Sequence, residues 1–273
     1  MTTAADSALA QPLAQLAAFG YHEVTPEPLT SGFVRRGAVR YTLTPPAFAR
    51  HLDRMAETVD RPRLVSEVNP ADPVRRVLLT FDDGGRSAMA VADELDRRGW
   101  PGHFFIITER LGERSFLAPA DVRELHARGH TVGSHSHTHP DIMRELPVAQ
   151  LRAEWRRSVD TVELILGAPC LTGAVPGGHT SADVERTAAE SGLRYLFTCT
   201  PTTRPRRVDE CWVLGRVLVR RTTSARTIAS LARFRGWERA RLVRDGKDVM
   251  RLGAPWLFRA WVRLMKQEPL PEA

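Results

Sequence analysis

From Arg76 to Val219 the chain alternates short apolar runs with amphipathic stretches closed by glycine. That alternation limits the fold more than any other feature. Arg76–Phe81 (RVLLTF) is an apolar run ending in acidic residues and glycines, the pattern of a buried strand. Ser87–Arg98 follows with Met89, Val91, Ala92 and Leu95 at helical spacing and stops at Gly99. The unit recurs. Strands are expected at His103–Thr108, His130–Ser134, Leu171–Val175 and Leu193–Thr198, with helices at Pro119–Arg128, Pro147–Leu166 and Ser181–Ser191 between them. A last strand is expected at Trp212–Val219. Helical crossovers between strands make the strands parallel. A doubly wound sheet and a (β/α) barrel both satisfy the pattern, and in both chemistry gathers at the C-terminal strand ends.

The flanks break the rhythm. Residues 1–20 are Ala-rich and read as a loose arm or a short helix, and the stretch through about Ala71 mixes Pro with short apolar pieces. This gives an N-terminal arm and lead-in packed on the main domain over 1–70, an α/β catalytic domain over 71–235 and a basic amphipathic extension over 236–273. With 273 residues, 42% of them hydrophobic, the chain can bury a sizeable core. Charge is lopsided: from Pro201 onward there are 17 Lys/Arg against 7 Asp/Glu, leaving 22 against 25 in the first 200 residues. Such a region is either a solvated Arg-rich surface or an attractor of anionic partners. In Pro255–Lys266, Leu257, Trp261, Leu264 and Met265 share one helical face and Arg259, Arg263 and Lys266 another. That helix either docks on the domain or a partner subunit, or rests on an anionic membrane surface. No nucleic-acid-binding module accompanies the charge, so nucleic acid is not an expected partner. Cys170, Cys199 and Cys211 are odd in number and lack C-x-x-C spacing, which points to buried reduced thiols. No Lys or Arg precedes Arg35, and no apolar run is long enough to span a bilayer; the expected location is the cytoplasm, peripheral to the inner membrane face if the C-terminal helix binds lipid.

Two clusters fall at strand ends. The first is Thr80-Phe81-Asp82-Asp83-Gly84-Gly85. Adjacent carboxylates repel, and a cation or a shared proton relieves them. A divalent ion could take one carboxylate and leave the other as general base. A plain Asp-Gly turn is the simpler reading of these residues alone. The second cluster is Gly133-Ser134-His135-Ser136-His137-Thr138-His139-Pro140-Asp141. His135 and His139, four apart, share a side in a helical turn, and His137 points elsewhere. One Asp and two His make three ligands and leave positions for water and substrate, the pattern of a catalytic rather than a structural site. A polar His-rich loop is the alternative, and it weakens once both clusters lie on strand ends of one pattern.

Thr80–Gly84 (TFDDG) with His135–Pro140 downstream resembles the polysaccharide deacetylase family, the NodB-homology domain of carbohydrate esterase family 4. The resemblance covers roughly Val74–Val219, and Tyr21-His22-Glu23-Val24 is similar to a segment that opens many members. It implies a distorted (β/α) barrel and metal-dependent removal of an acyl group, acetyl foremost, from an N-acylated amino sugar. It implies Asp82 as general base, with Asp83, His135 and His139 holding a divalent ion, usually zinc. The family's third motif, Arg-x-Pro-x-Gly, is met by Ala174-Val175-Pro176-Gly177-Gly178. Pro176 and Gly178 fit, but Ala174 stands where an arginine normally tunes the catalytic aspartate. The Pro-Gly-Gly form marks a divergent subgroup. Pro176 and Gly177 are expected at the substrate, with a backbone N–H near Gly177 as oxyanion donor. Asp209 and Trp212 are the candidates for the fourth motif, with Trp212 at the substrate. The fifth motif supplies a histidine general acid, but no histidine follows His179. Either His179 or His137 replaces it, and His179, directly after the third motif, is taken as the acid.

The chain has no G-x-S-x-G elbow, no G-x-x-x-x-G-K-[ST] loop and no G-x-G-x-x-G. The expected substrate is a nucleotide-linked, lipid-linked or small-molecule N-acetylated amino sugar. Two other readings stay open: a hydrolase of another amide or cyclic imide, or a sugar deformylase, on the same scaffold; and a non-catalytic binding protein on a decayed site. The full set Asp82, Asp83, His135 and His139 counts against decay, because buried charged ligands are costly to keep without a metal.

Overall fold

The computed structural model describes residues 14–28 and 30–253. The expected N-terminal arm is, from Gln15 onward, a strand: β1 (Gln15–Tyr21), buried along nearly its whole length. The short helix α1 (Arg36–Val39) and α2 (Pro45–Ala56) follow, the latter starting on two prolines whose missing N–H groups need no partner in a first helical turn. The alternation read from the sequence then unfolds as β2 (Arg75–Phe81), α3 (Ser87–Asp96), β3 (His103–Ile106), α4 (Pro119–Ala127), β4 (Thr131–Ser134), α5 (Val148–Leu166), β5 (Thr172–Ala174), α6 (Ala182–Glu190) and β6 (Tyr195–Phe197). An antiparallel hairpin of β7 (Arg206–Val208) and β8 (Cys211–Leu214) comes next, then β9 (Arg216–Leu218), α7 (Ala225–Ala232) and α8 (Trp237–Gly253). The helix expected at Pro255–Lys266 lies outside the described residues.

The strands form one sheet in the order β7-β8-β6-β5-β4-β3-β2-β1-β9, parallel throughout except for β7–β8. The single strand expected at Trp212–Val219 is broken at Gly215. Its first half, β8, pairs with β6, and its second half, β9, pairs with β1. One kinked segment thus joins the two ends of the parallel array, and the sheet closes into a barrel. A Cβ on Gly215 would run into the carbonyl oxygen of Thr200, so the kink needs glycine. The (β/α) barrel, rather than the open doubly wound sheet, is the architecture.

Alternation along the strands separates two cores. Phe19, Tyr21, Leu79, Phe81 and Phe104 face outward and meet Phe48, Leu52 and Leu95 of the helices. Leu16, Ala18, Leu78, Phe105 and Phe197 fill the barrel interior. His103, a polar group inside, is satisfied at both ring nitrogens. His103 Nδ1 bonds the Leu79 carbonyl at 2.8 Å, and Nε2 accepts the Val65 N–H at 2.9 Å. Burial lowers its pKa to about 4, so the ring is neutral. Cys170, Cys199 and Cys211 are buried and free, as read from their spacing. Among the described residues no helix is long and apolar enough to cross a membrane.

Candidate active site

Asp82 and Asp83 leave the C-terminal end of β2, and His135 leaves that of β4, so the parallel sheet delivers both clusters to one rim. Asp83 (φ 75°), Ser136 (φ 63°) and His139 (φ 57°) take left-handed backbone conformations, which non-glycine residues keep only where their surroundings hold them. Asp83 Oδ1 lies 3.4 Å from His135 Nε2 and 3.6 Å from His139 Nε2. Ligand atoms of the three residues all fall within 4.8 Å of one another. Oδ1 is buried and has no hydrogen-bond partner among the described residues. An orphaned buried oxygen is costly, and this one faces two imidazole nitrogens at a spacing that suits a shared cation better than direct hydrogen bonds. His135 Nδ1 meets the Ala174 carbonyl at 2.9 Å; donation there leaves the Nε2 lone pair toward Asp83. The donor set therefore fits a divalent ion with open positions.

The histidine loop is held from below. Glu154 of α5 accepts hydrogen bonds from His137 N (3.0 Å), Thr138 N (2.9 Å) and Thr138 Oγ1 (2.9 Å). His137 turns to Thr108 Oγ1 at 2.9 Å and is not one of the converging ligands. Nothing in the local sequence pattern marked Glu154, which looks like any solvent-facing helical glutamate.

The arginine missing at Ala174 is supplied from elsewhere. Arg216, on β9 and fully buried, reaches up the barrel interior and grips Asp82 with both ends of its fork: Nη1–Oδ1 at 2.6 Å and Nη2–Oδ2 at 2.9 Å. Thr80 Oγ1 (2.8 Å) and the Thr198 carbonyl (3.3 Å) accept further bonds from it. The rings of Phe105 and Phe197 lie 5.7 and 5.9 Å from the guanidinium. Burial alone would raise the Asp82 pKa. The Arg216 charge, with His135 and His22, outweighs burial and holds Asp82 below the ordinary carboxylate range. Asp83 is lowered too, with burial opposed by His135, His22 and His139. The sequence signal was an arginine inside an apolar strand run, Gly215–Val219, at a position whose neighbours face a core.

The lead-in segment completes the rim. His22 follows β1 and stacks on Tyr41, with ring centroids 4.8 Å apart. Its Nδ1 is buried without a hydrogen-bond partner among the described residues. Beside it, buried Glu23 accepts hydrogen bonds from Ser87 Oγ at 2.6 Å and from Ser31 Oγ. Burial is the main reason its pKa climbs to about 7; the two serines oppose it and the Asp83 charge adds to it. A side chain at Gly85 would collide with the Glu23 carboxylate. Of the two glycines after Asp83, therefore, only Gly84 (φ 73°) serves the turn, and Gly85 is needed for close approach. Ser31–Phe33 then crosses the rim: Gly32 N donates to Ser115 O at 2.7 Å, and the Phe33 ring meets those of His139 (5.1 Å) and Phe116 (5.6 Å).

The remaining expected residues divide. Pro176–Gly178 forms a 3-10 turn directly after β5, the strand whose Ala174 carbonyl holds His135, so Pro176, Gly177 and His179 lie at the same rim. Arg244 of α8 pins this turn through the carbonyls of Gly178 (3.2 Å) and Cys199 (3.1 Å). Trp212 is not at the rim. It packs into the interior cluster with Val74 and Tyr195, which lie just before β2 and at the start of β6, the opposite end of the barrel. Its place is set by strand register: Trp212 pairs with Tyr195, two residues short of the C-terminal end of β6. Asp209 sits exposed in the β7–β8 turn. Neither forms a fourth motif.

The polysaccharide deacetylase family profile matches residues 69–196, which carry the paired aspartates, the histidine loop and the Pro-Gly-Gly turn. Residues 69–196 belong to the polysaccharide deacetylase family. A chitooligosaccharide deacetylase from Bradyrhizobium is 32% identical over 126 residues, 44% of this chain and 53% of that protein. The peptidoglycan-N-acetylglucosamine deacetylase PgdA of Listeria monocytogenes is 37% identical over 83 residues, 30% of this chain and 17% of that protein. The chain thus spans about half or less of these relatives. A polysaccharide deacetylase from Bacillus cereus of known structure shares the fold, with a TM-score of 0.65 and 20% identity over 80% of this chain and 69% of that one.

Proposed function

We propose that this polysaccharide deacetylase-family protein hydrolyses the acetamido group of an N-acetylated amino sugar, releasing acetate and the free amine. The observation that carries the reading is the buried Asp83 Oδ1, without a hydrogen-bond partner among the described residues, facing His135 and His139 next to an aspartate held ionised by Arg216. A divalent ion held by Asp83, His135 and His139, zinc in this reading, would polarise the amide carbonyl and acidify the attacking water. Asp82 accepts the proton of that water. Arg216 keeps Asp82 charged and aimed, since both its oxygens are already fixed. The Gly177 N–H is the proposed donor to the developing oxyanion. As the C–N bond breaks, the nitrogen must gain a proton. His22 supplies it in our reading, because its buried Nδ1 has no hydrogen-bond partner among the described residues and the ring stands close enough to act electrostatically on both Asp82 and Asp83. His179 is the other candidate.

The test is acetate release from N-acetylglucosamine oligomers, nucleotide-linked N-acetylglucosamine and a lipid-linked form. Release should stop with chelator and return with zinc. No release from zinc-loaded protein on any of these would overturn the reading. Comparing His22→Gln with His179→Gln assigns the acid: the right substitution lowers kcat by about 100- to 10,000-fold and removes the alkaline limb of its pH profile. Loss in His179→Gln alone would move the role to that residue.

A further inference from the structure

Two guanidinium groups crowd one aromatic ring beside the metal-ligand cluster. Arg35 lies 4.0 Å over the Phe33 ring, and Arg110, in the turn after β3, lies 6.0 Å from the same centroid. The Phe33 ring in turn contacts His139, so the guanidiniums stand two ring contacts from a metal ligand. Like charges do not share a small volume without compensation. Arg110 spends Nη1 on Glu113, at 3.1 and 3.2 Å, but its Nε is buried and unpartnered among the described residues. Arg35 has no ion pair with any described carboxylate. Its charge feels Asp83, yet Asp83 Oδ1 is turned to the two histidines. The segment carrying Arg35 is not free to swing away: Glu23 ties down Ser31, and Gly32 is bound to Ser115. The result is a fixed pair of planar donor forks at the rim, with donor capacity to spare and an aromatic face between them.

We propose that Arg35 and Arg110 bind a phosphate group carried by the substrate, so that the preferred substrate is a phosphorylated N-acyl amino sugar rather than a neutral oligosaccharide. A phosphate accepts from two arginine forks at once, and it would supply the buried Arg110 Nε–H with the acceptor it lacks. Phe33 offers its ring edge and face to the sugar that links phosphate to acetamide. This deepens the deacetylase reading and rests on it for the reaction, but binding can be measured without turnover.

The experiment compares N-acetylglucosamine 1-phosphate with N-acetylglucosamine by calorimetry, on the full chain in chelator, so that phosphate cannot coordinate a metal. The phosphorylated sugar should bind at least about 10-fold more tightly, by an amount that falls as salt rises. Arg35→Gln/Arg110→Gln, and Arg110→Gln alone should the double variant melt early, should lose that advantage and keep the affinity for the neutral sugar. Equal affinities in the unaltered protein, no measurable binding of the phosphorylated sugar, or an advantage that survives the substitutions would each overturn the proposal. Acetate release from neutral sugars by the zinc-loaded enzyme reports separately on the deacetylase reading and stands whether or not the phosphate site does.

Discussion

Replacing Arg216 by leucine removes one partner of a buried ion pair and leaves the other behind. Asp82 would keep its buried position and lose both of its close donors, at 2.6 and 2.9 Å. Breaking a buried pair in this one-sided way costs about 3–5 kcal/mol. For a barrel of this size that is a fall in Tm on the order of 10 °C. The sign of the pH dependence follows from the depressed Asp82 pKa. Its pairing stabilises the fold above the unfolded carboxylate pKa and is lost as pH falls through the lower folded value. In the variant, burial is opposed only by His135 and His22 and the Asp82 pKa rises, so acid relieves the stranded charge by protonating it. The stability gap between wild type and Arg216→Leu should therefore be widest near neutrality and narrow steadily toward pH 4. Urea unfolding followed by circular dichroism at several pH values, in chelator, measures it. The acid limb of the zinc-loaded enzyme's pH–rate profile should shift upward in parallel. Arg216→Lys, which keeps the charge but not the two-pronged contact, should fall between. A gap under about 1 kcal/mol at pH 7, or one that does not change with pH, would refute the claim that Arg216 keeps Asp82 ionised.

Asp82→Asn should keep its metal and lose about 100- to 10,000-fold in kcat, while His135→Ala should lose the metal as well; equilibrium dialysis with zinc, read beside turnover, separates the two. Glu23→Gln should gain stability relative to wild type as pH rises. A carboxyl raised to about 7 holds its proton in the folded state above the unfolded pKa, so the wild type loses up to about 3 kcal/mol between pH 4.5 and 7 that the amide does not. Parallel melting curves for the two proteins in chelator would contradict that.

Much of the barrel was legible because its signals are local. A buried strand at Arg76–Phe81 and an amphipathic helix stopping at Gly99 are spelled out within a dozen residues, and the rule that parallel strands present their C-terminal ends together made Asp83, His135 and His139 a single site. β1 escaped because its sequence, QLAAFGY, is short, lies in an Ala-rich stretch and has no periodicity that separates strand from helix. Trp212 is placed by register: proximity in sequence to a motif says nothing about which end of a strand a residue occupies, and its pairing with Tyr195 decides that.

The sequence by itself determined the order of elements from β2 to β6 and the candidate metal-binding trio, since both depend on residue types at short spacing. Only the tertiary structure decided how the site is tuned. Arg216 and Asp82 are 134 residues apart and meet because Gly215 kinks one strand so that it can close the barrel against β1. The missing arginine of the third motif is a vacancy in the sequence alone. In the folded chain the interior of the barrel brings a different strand's side chain to the same carboxylate, and burial makes that contact count because solvent cannot screen it.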